Sequence, residues 1–325
     1  MIFSGTSNPE LAEEIAAHLG MRLGEVEVSR FASGEIYVRF QESVRGTDAF
    51  VVQSHSHPVN EMIMEQLFMI DALKRASAKR INAVIPFYGY SRQDRKSLAR
   101  EPISARLVMD LIAVAGADRV LTVDLHSGQT QGFFDGPVDH LTALPILSQY
   151  VEDKYRDNLV VVAPDAGRAA HAAKYARHLH CSIAVMYKSR RADVRNVSKA
   201  GGLLGDVEGR KCLIVDDMID TAGTLVGAVD ELKRHGAAEV MAAATHGIFS
   251  GDAMERIEKS ELTEVIVTNT LPVAQRSGAQ KITVLSIAPI LASTIKAVFE
   301  DESVSEIFQG EHLEAIPPEN PFRRR

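Results

Sequence analysis

The chain has 325 residues, of which 46% are hydrophobic and 24% are charged, and its formal net charge is −7. This composition is typical of a globular protein with room for two domains, and the negative charge argues against a surface that binds nucleic acid. The two cysteines, Cys181 and Cys212, argue against a disulfide framework and suggest a reducing compartment. No apolar run approaches the roughly 18 residues of a membrane span, and the N-terminus lacks a signal-peptide pattern. We therefore expect a cytoplasmic protein with neither a membrane nor a nucleic acid as a partner.

Strands and helices alternate through the first half of the chain. Apolar runs predict strands, and apolar residues at helical spacing predict helices. The predicted strands are Met1–Ser4, Glu25–Val28, Ile36–Phe40, Phe50–Gln53, Ala83–Pro86 and Arg119–Val123. The predicted helices run from Leu11 to Leu19, from Asn60 to Ser77 and from Ile103 to Ala115.

The turn Phe31–Glu35, between two of these strands, has two interpretations. An exposed Phe31 beside Glu35 could stack on a purine and hydrogen-bond to it. The alternation of the flanking strands instead favours an ordinary hairpin in which Phe31 is buried. From periodicity alone we predict the buried ring.

A second polar loop, Phe87–Lys96, follows the strand Ala83–Pro86. Its aromatic residues precede Arg92, Arg95 and Lys96, so the loop could stack a base and neutralise a polyphosphate. The other interpretation is a solvated run of charges. The carboxyl end of a strand is where open α/β sheets bind ligands, which keeps both interpretations open.

The second half repeats the alternation. The predicted strands are Leu159–Ala163, Ser182–Met186, Cys212–Val215, Val240–Thr245, Glu264–Thr268 and Ile282–Leu285. The predicted helices are His171–His180, a segment from Leu225 onward, Ala253–Ile257 and Pro289–Phe299. The polar stretch from Lys188 to Gly202 is too long for a tight turn and is interpreted as a mobile basic lid. Leu121–Asp124 resembles Leu213–Asp216, so the halves look like copies of one α/β unit with mainly parallel strands.

The segment Asp216–Thr224 carries the clearest chemistry. An apolar strand is predicted to stop at Asp216 and Asp217, and the loop Asp220–Thr224 offers backbone N–H groups, hydroxyls and a helix N-terminus to a phosphate. The two carboxylates would repel a phosphate, so they are expected to hold sugar hydroxyls or a divalent metal. A phosphorylated sugar would suit both parts of the segment, because its hydroxyls can bind the carboxylates and its phosphate can bind the loop. The alternative, a turn with an Asp N-cap, needs only one Asp where this stretch has three.

Taken together, these motifs resemble the ribose-phosphate pyrophosphokinase family. The matching segments occur in order over nearly the whole chain: Phe31–Glu35, Tyr90–Asp94, Asp124–Gln129, Gln131–Asp135, Pro164–Gly167 and Val215–Thr224. The resemblance implies two tandem phosphoribosyltransferase-like domains of the α/β class, each a mainly parallel sheet flanked by helices. The expected bounds are 1–141 for an ATP-binding domain, 142–300 for a domain that binds ribose 5-phosphate, and 301–325 for a tail packed partly on the first domain.

The resemblance also implies a reaction, in which the diphosphoryl group of Mg²⁺-ATP passes to the anomeric hydroxyl of ribose 5-phosphate and AMP is released. Lys188 and Arg190 match the catalytic lid pair, and His126 and Asp165 match the ligands of Mg²⁺. The positions that match ATP contacts are Phe31, Ser33, Gly34, Glu35, Arg92, Gln93 and Asp94. The positions that match ribose 5-phosphate contacts are Arg190, Asp216, Asp217, Asp220, Thr221, Ala222, Gly223 and Thr224. The positions that resemble an allosteric site for phosphate and ADP are Ser43, Arg45, Ser303 and Ser305.

The sequence departs from the family pattern at three of the positions considered. Ser33 stands where Asp or Asn is usual, Arg168 replaces a second glycine after Pro164–Gly167, and Glu306 stands where an uncharged residue is common. The resemblance further implies a homohexamer. Two alternatives are a non-catalytic regulatory homologue that binds catalytic subunits, and a simple phosphoribosyltransferase. The general base is left open between Asp216 and Asp217.

Overall fold

The computed structural model describes residues 1–187, 202–273 and 279–304. In it, apolar strands that alternate with helices form two mainly parallel sheets, and each sheet lies in its own compact unit. Of the described residues, the first unit consists of 1–142 and 288–304, and the second consists of those between 143 and 287. The domain bounds expected from the sequence stay a prediction. Among the residues described, no helix is both long enough and apolar enough to cross a membrane.

The first unit contains a parallel sheet and a separate hairpin. Its described strands are β1 (Ile2–Ser4), β2 (Val26–Arg30), β3 (Ile36–Phe40), β4 (Asp48–Val52), β5 (Arg80–Ile85), β6 (Arg119–Val123) and β7 (Val138–Leu141). The sheet has the order β1-β4-β5-β6-β7 with every pair parallel, while β2 and β3 pair antiparallel. Its helices include α1 (Pro9–His18), α2 (Val59–Arg75) and α3 (Ser104–Ala115).

Local chemistry explains where these helices begin and end. The Asn8 side chain accepts a hydrogen bond from the Leu11 N–H at 3.4 Å, and Pro9 takes the first position of α1, where its missing N–H is no loss. Helix α3 ends at Gly116, whose φ of 119° is accessible mainly to glycine. One face of α2 buries Met69, Ile70 and Leu73 against the sheet. The first unit is thus held by its own apolar core.

The second unit contains a larger sheet. Its described elements are α4 (Leu144–Tyr155), β8 (Leu159–Ala163), α5 (Ala169–His178), β9 (Ser182–Tyr187), β10 (Gly202–Leu204), β11 (Lys211–Ile219), α6 (Gly223–Arg234), β12 (Glu239–Gly247), α7 (Ala253–Lys259), β13 (Glu264–Thr268) and β14 (Ile282–Leu285). The strand order is β10-β9-β8-β11-β12-β13-β14, parallel except for β10 against β9. Helix α8 (Ala288–Phe299) follows and packs with α1 in the first unit.

Two parallel-sheet units were predicted from the alternation, and both are present. Helix α4 and the short strands β7 and β10 were not predicted. The strand that contains Asp216 and Asp217 was predicted to stop there, and this is wrong because β11 continues to Ile219. Its ladder with β12 extends through Met218 and Ile219, which pair with His246 and Gly247.

Candidate active site

In the second unit the strand order reverses between β8 and β11, and such a reversal leaves a crevice at the carboxyl ends of these two strands. From β8 the chain moves to β9 on one side, and from β11 it moves to β12 on the other side. In open α/β sheets ligands bind outside the carboxyl ends of the strands at such a switch point. The ladder between β8 and β11 ends at the pair Val162 and Ile214, so the later residues of β11 face the loop after β8.

Asp216 and Asp217 lie in this later part of β11 and contact one arginine. The Nε atom of Arg168 is 2.8 Å from Asp216 Oδ1, and its Nη2 atom is 2.5 Å from Asp217 Oδ1. Asp217 is buried and Asp216 is half-buried. Arg168 stands at the end of a short 3-10 turn after β8, which carries its side chain to the neighbouring strand. Two carboxylates and one guanidinium therefore share the crevice.

Burial and the proximity of Asp217 raise the pKa of the Asp216 carboxyl above its ordinary value. Arg168 opposes this shift because its positive charge favours the ionised form of Asp216. The Asp217 N–H also donates to Asp216 Oδ1 at 2.9 Å. Two acids beside one cation form a site suited to accept hydrogen bonds from neutral hydroxyl donors.

The loop after β11 leads directly into α6. Ala222, the residue before the helix, has a left-handed φ of 58°, and its side chain gives the helix no cap. Thr221, Gly223 and Thr224 are exposed, and the Arg256 Nη1 atom donates to the Thr221 carbonyl at 2.9 Å. Backbone N–H groups at a helix start and exposed hydroxyls suit an anion. The predicted phosphate-binding character of Asp220–Thr224 thus has a matching local geometry.

Asp165, the predicted Mg²⁺ ligand of this unit, is exposed directly beyond β8. Its Oδ1 atom accepts a hydrogen bond from the Arg168 N–H at 3.1 Å, which fixes the carboxylate at the start of the turn. Among the described residues no group of three His, Cys, Asp or Glu side chains is arranged to hold a metal ion. The role of Asp165 as a Mg²⁺ ligand stays a prediction.

In the first unit, the loop after β5 is fixed by a buried histidine. The Gly89 N–H donates to Nδ1 of His55 at 3.0 Å, so the ring hydrogen lies on Nε2, which donates to Gln66 Oε1 at 2.9 Å. Burial lowers the pKa of His55 to about 4, so the ring is neutral near pH 7. A Cβ at Gly89 would lie 2.9 Å from the His55 Cβ, which limits this position to glycine.

The predicted ATP residues follow in the same loop. Arg92 and Gln93 are exposed and Asp94 is half-buried. Gln93 is tied to the start of α3, because its Oε1 accepts from the Ser104 hydroxyl at 2.6 Å and its carbonyl accepts from the Ala105 N–H at 3.2 Å. The loop thus presents polar side chains at the carboxyl end of β5 on a fixed backbone.

The aromatic residues of this loop do not all face outward. Phe87 is 8% exposed and Tyr88 is 2% exposed, and the Tyr88 hydroxyl donates to the Ala105 carbonyl at 2.7 Å. The idea that these rings stack a base is therefore wrong for Phe87 and Tyr88, which belong to the core. Tyr90 is half-buried, with a positive φ of 61°.

The turn between β2 and β3 is exposed. Phe31 is 57% exposed and makes a T-shaped contact with Tyr37, with ring centroids 5.8 Å apart. The prediction from periodicity that Phe31 is buried is wrong, because the ring lies beyond the paired strands. Ser33 donates to Glu35 Oε2 at 2.7 Å across Gly34, whose φ is 92°. An aromatic face and a carboxylate are therefore available to a ligand.

His126 lies just after β6 and is half-buried. It follows Asp124, which has a strained positive φ of 36°, and Leu125, whose N–H donates to His140 Nε2 at 2.8 Å. Together with Tyr90 after β5 and Ala222 after β11, Asp124 is one of three non-glycine residues with positive φ in the predicted site loops.

The remaining predicted positions fall in two groups. Ser43, Arg45 and Ser303 are exposed in the first unit. Lys188, Arg190 and Ser305 lie outside the described residues. The roles of all these site positions stay predictions.

Two residues with clear contacts at the site were missed as functional candidates. His55 gave no signal, since a single histidine after a strand has no motif. Arg168 was noted as a departure that makes its loop bulkier and more cationic than the family pattern, but its contacts with the acids of β11 were not predicted.

Comparisons with known proteins agree with the motifs. The family model described as the N-terminal domain of ribose phosphate pyrophosphokinase matches residues 1–116, and that of the phosphoribosyl synthetase-associated domain matches residues 197–309. The chain is 55% identical over 309 residues to a ribose-phosphate pyrophosphokinase of Streptomyces avermitilis, with 95% of each chain covered. It is also 55% identical over 313 residues to the Mycobacterium leprae ribose-phosphate pyrophosphokinase, with 96% of each covered.

A solved structure gives the same result. The crystal structure of phosphoribosylpyrophosphate synthetase from Mycobacterium smegmatis matches with a TM-score of 0.88 and 52% identity, covering 93% of this chain and 99% of that one. The predicted fold class of two tandem phosphoribosyltransferase-like domains is confirmed. The chain therefore belongs to the ribose-phosphate pyrophosphokinase family of diphosphotransferase enzymes.

Proposed function

We propose that this chain transfers the diphosphoryl group of ATP to the anomeric hydroxyl of ribose 5-phosphate, giving 5-phosphoribosyl 1-diphosphate and AMP for nucleotide biosynthesis. The observation that carries the proposal is the layout of β11 and the loop after it. Two carboxylates that can accept hydroxyl hydrogens precede an anion-binding helix start by a few residues. A ribose phosphate has this same combination of neutral hydroxyls and a dianionic group at its other end.

On the acceptor side, Asp216 and Asp217 hold the ring hydroxyls of the sugar. The 5-phosphate lies against the loop Asp220–Thr224, where the start of α6 supplies N–H donors and Thr221 and Thr224 supply hydroxyls. The exposure of those threonines supports this role.

On the donor side, the nucleotide binds along the loop after β5, with Arg92, Gln93 and Asp94 as its contacts. The adenine contacts come from the turn Phe31–Glu35, in which an exposed ring supplies a stacking face and Glu35 supplies an acceptor. Lys188 and Arg190, which lie outside the described residues, are proposed as the cationic lid pair.

The reaction forms a bond between the anomeric oxygen and the β-phosphorus of ATP. The bond from that phosphorus to the oxygen bridging to the α-phosphorus breaks, AMP departs with the electron pair, and the hydroxyl proton is released. Negative charge grows on the departing and nonbridging oxygens, so cationic side chains stabilise the transition state. Tighter binding of ribose 5-phosphate would not by itself raise the rate, because contacts with the sugar are equally strong before the reaction and in the transition state.

Mg²⁺ is the proposed cofactor. Asp165, from the exposed turn after β8, and His126, from the loop after β6, would hold it together with phosphate oxygens and water. When bound, the ion would neutralise charge on the transferred group.

We further propose that the chain acts in the cytoplasm and self-associates as a homohexamer. An exposed apolar strip on α2 and α3, which pack against each other, supports an interface with another copy. It consists of Met64, Phe68, Leu107, Leu111 and Val114. Ser43, Arg45, Ser303 and Ser305 are proposed as contacts for regulatory phosphate or ADP.

One assay distinguishes the proposal from its alternatives. The purified chain is incubated with Mg²⁺, ATP and ribose 5-phosphate, and AMP and the diphosphorylated sugar are quantified over time. We expect the two products in equal amounts. A regulatory homologue would form neither product, and a simple phosphoribosyltransferase would form neither from this mixture, because its substrates are 5-phosphoribosyl 1-diphosphate and a base.

A further inference from the structure

The loop Asp220–Thr224 contains a strained residue directly before α6. Ala222 has a left-handed φ of 58° and gives the helix no side-chain cap. A non-glycine residue keeps this conformation only where the surrounding contacts impose it. The shape of the loop therefore depends on contacts that hold this residue in place.

The chain after β12 supplies such contacts. Three backbone N–H groups, those of residues 248–250, donate to the carbonyls of Ile219 and Asp220 at 2.9–3.1 Å. The next carbonyl along the loop is that of Thr221, and it accepts a hydrogen bond from the Arg256 Nη1 atom at 2.9 Å. The contacts thus reach as far as the peptide that joins Thr221 to the strained residue.

Helix α7 gives Arg256 a fixed starting point. Ala253, Met254 and Ile257 bury one face of this helix in the core of the second unit. Near the end of the helix, the Lys281 Nζ atom donates to two backbone carbonyls at 2.9 and 2.7 Å. The contact between Arg256 and the loop therefore joins the loop to a helix that the core holds in place.

The positive charge of Arg256 lies beside the start of α6. A Cβ at Gly223, the first residue of that helix, would lie 3.7 Å from Arg256 Nη1. The Asp252 Oδ2 atom is 3.9 Å from Arg256 Nη2, and the Asp252 side chain is 75% exposed, so water screens this pair. Much of the charge is therefore available to an anion at the helix start, where the helix dipole acts in the same direction.

The hydrogen bond from Arg256 also fixes the direction of a backbone donor. In a trans peptide, such as the one between Thr221 and Ala222, the C=O and N–H groups point in opposite directions. With the Thr221 carbonyl bound to Arg256, the Ala222 N–H therefore points away from the guanidinium. Within the described part of the chain this N–H makes no hydrogen bond, so it can donate to a ligand.

We infer that Arg256 is a positioning residue for the 5-phosphate of ribose 5-phosphate, because it holds the Thr221–Ala222 peptide with its N–H directed at the phosphate. This inference rests on the proposed function, which places that phosphate against the loop. Arg256 stays on the opposite side of the peptide and acts through the backbone and through its charge. The affinity of the loop for phosphate is therefore set partly by α7, an element outside the segment Asp216–Thr224.

The first test is the affinity for ribose 5-phosphate, measured by calorimetry for the wild type and for Arg256→Met, together with steady-state kinetics. The substitution removes the donor and the charge but keeps an unbranched side chain. We expect Kd and KM for ribose 5-phosphate to rise by about tenfold, the usual range for a lost charge-assisted contact. The rate constant kcat should change by less than about threefold, because a contact made equally before and during the reaction alters KM alone. The affinity for ATP should not change.

A second measurement uses the wild type alone. Hydrogen–deuterium exchange resolved to single amides is followed with and without ribose 5-phosphate. Binding should slow the exchange of the Ala222 N–H, because the phosphate then accepts its hydrogen. Free ribose at the same concentration lacks the phosphate and should leave this amide unprotected.

Two variants serve as controls. Lys259→Met removes a charge from the next turn of α7, where Lys259 pairs with Glu255, and it should leave the affinity for ribose 5-phosphate unchanged. Arg256→Lys keeps a charge and a donor but loses the planar fork, so it should recover part of the lost affinity. The circular dichroism spectrum and melting temperature of each variant establish that it is folded before its affinities are compared.

Unchanged affinity for ribose 5-phosphate in Arg256→Met would overturn the inference, as would an equal loss in Lys259→Met or a fall in kcat with Kd unchanged. If Arg256→Met does not fold, the exchange measurement decides. An Ala222 amide that ribose 5-phosphate leaves unprotected, or that free ribose protects equally, overturns the inference. A wild type that does not bind ribose 5-phosphate would instead contradict the proposed function itself.

Discussion

The buried ring of His55 predicts a specific loss of stability in acid. Burial lowers its pKa to about 4 in the folded protein, against an ordinary value near 6.5. Between these two values the unfolded chain binds a proton that the folded chain does not, so stability is complete above pH 6.5 and declines as the pH falls toward 4. Relative to its value above pH 6.5, the free energy of unfolding is lower by about 2 kcal/mol at pH 5 and by about 3 kcal/mol at pH 4.

Protonation of His55 would also break the hydrogen bond that fixes the loop after β5. A hydrogen on Nδ1 would point at the Gly89 N–H, which now donates to that atom at 3.0 Å. We therefore expect the backbone after β5 to loosen in the same pH range in which stability is lost. The ATP contacts proposed for Arg92 and Gln93 depend on this backbone, so KM for ATP should rise together with the loss of stability.

The assay is urea denaturation of the wild type and of His55→Asn at pH 7, 6, 5 and 4, followed by circular dichroism. The variant lacks the titrating ring, so subtracting its free energy of unfolding removes the contributions of the other acids and histidines. We expect the difference between the two proteins to shrink by about 2 kcal/mol from pH 7 to pH 5. Parallel curves over this range would refute the reasoning.

Three other substitutions test different parts of the molecule. Glu264, at the amino end of β13, accepts hydrogen bonds from three hydroxyls and from Lys154, so Glu264→Gln should lower the free energy of unfolding by about 3 kcal/mol with kcat unchanged. A fall in kcat without loss of stability would contradict this. Asp216→Asn should raise the melting temperature of the ligand-free protein at pH 8 but not at pH 4, because a raised pKa makes the ionised acid destabilising at high pH. The same variant should bind ribose 5-phosphate at least about tenfold more weakly, and unchanged affinity would exclude a sugar contact. Phe31→Ala should raise KM for ATP while changing stability by less than about 1 kcal/mol, since the ring is exposed; the reverse outcome would mean a structural role.

The segment Asp216–Thr224 illustrates what could be predicted from sequence. Its loop and helix start depend on local residue types, so their presence and approximate position were predicted correctly. The length of β11 was not predicted correctly. Aspartates are uncommon in strands, so Asp216 and Asp217 indicated the end of the strand. What extends β11 is its ladder with β12, a contact between residues about 28 positions apart in the chain. Such pairing is invisible in a local pattern.

Exposure of the aromatic residues could not be predicted for the same reason. For Phe31 the alternation of the flanking strands favoured a buried ring, which is wrong, whereas for Phe87 the sequence left a base-stacking loop and a solvated run of charges both open. Phe87 is buried where its carbonyl accepts a hydrogen bond from the His55 N–H at 3.0 Å, whereas Phe31 is exposed at the turn of the two-stranded hairpin of β2 and β3. Their surroundings are set by tertiary contacts.

Arg168 shows the limit most clearly. The residue was visible in the sequence as a charge in place of a small residue, but its two partners lie about 48 positions further along the chain. Only the adjacency of β8 and β11 brings them together.

The central claim is that a diphosphoryl group moves intact from ATP to the sugar, and isotopic labelling tests this most directly. ATP labelled with ³²P at the β-phosphorus is mixed with ribose 5-phosphate, Mg²⁺ and the purified chain, and the products are separated by chromatography. The account predicts that all of the transferred label appears in the sugar product, with one unlabelled AMP formed for each labelled sugar. Label retained in ADP, or AMP formed without a labelled sugar, would contradict it.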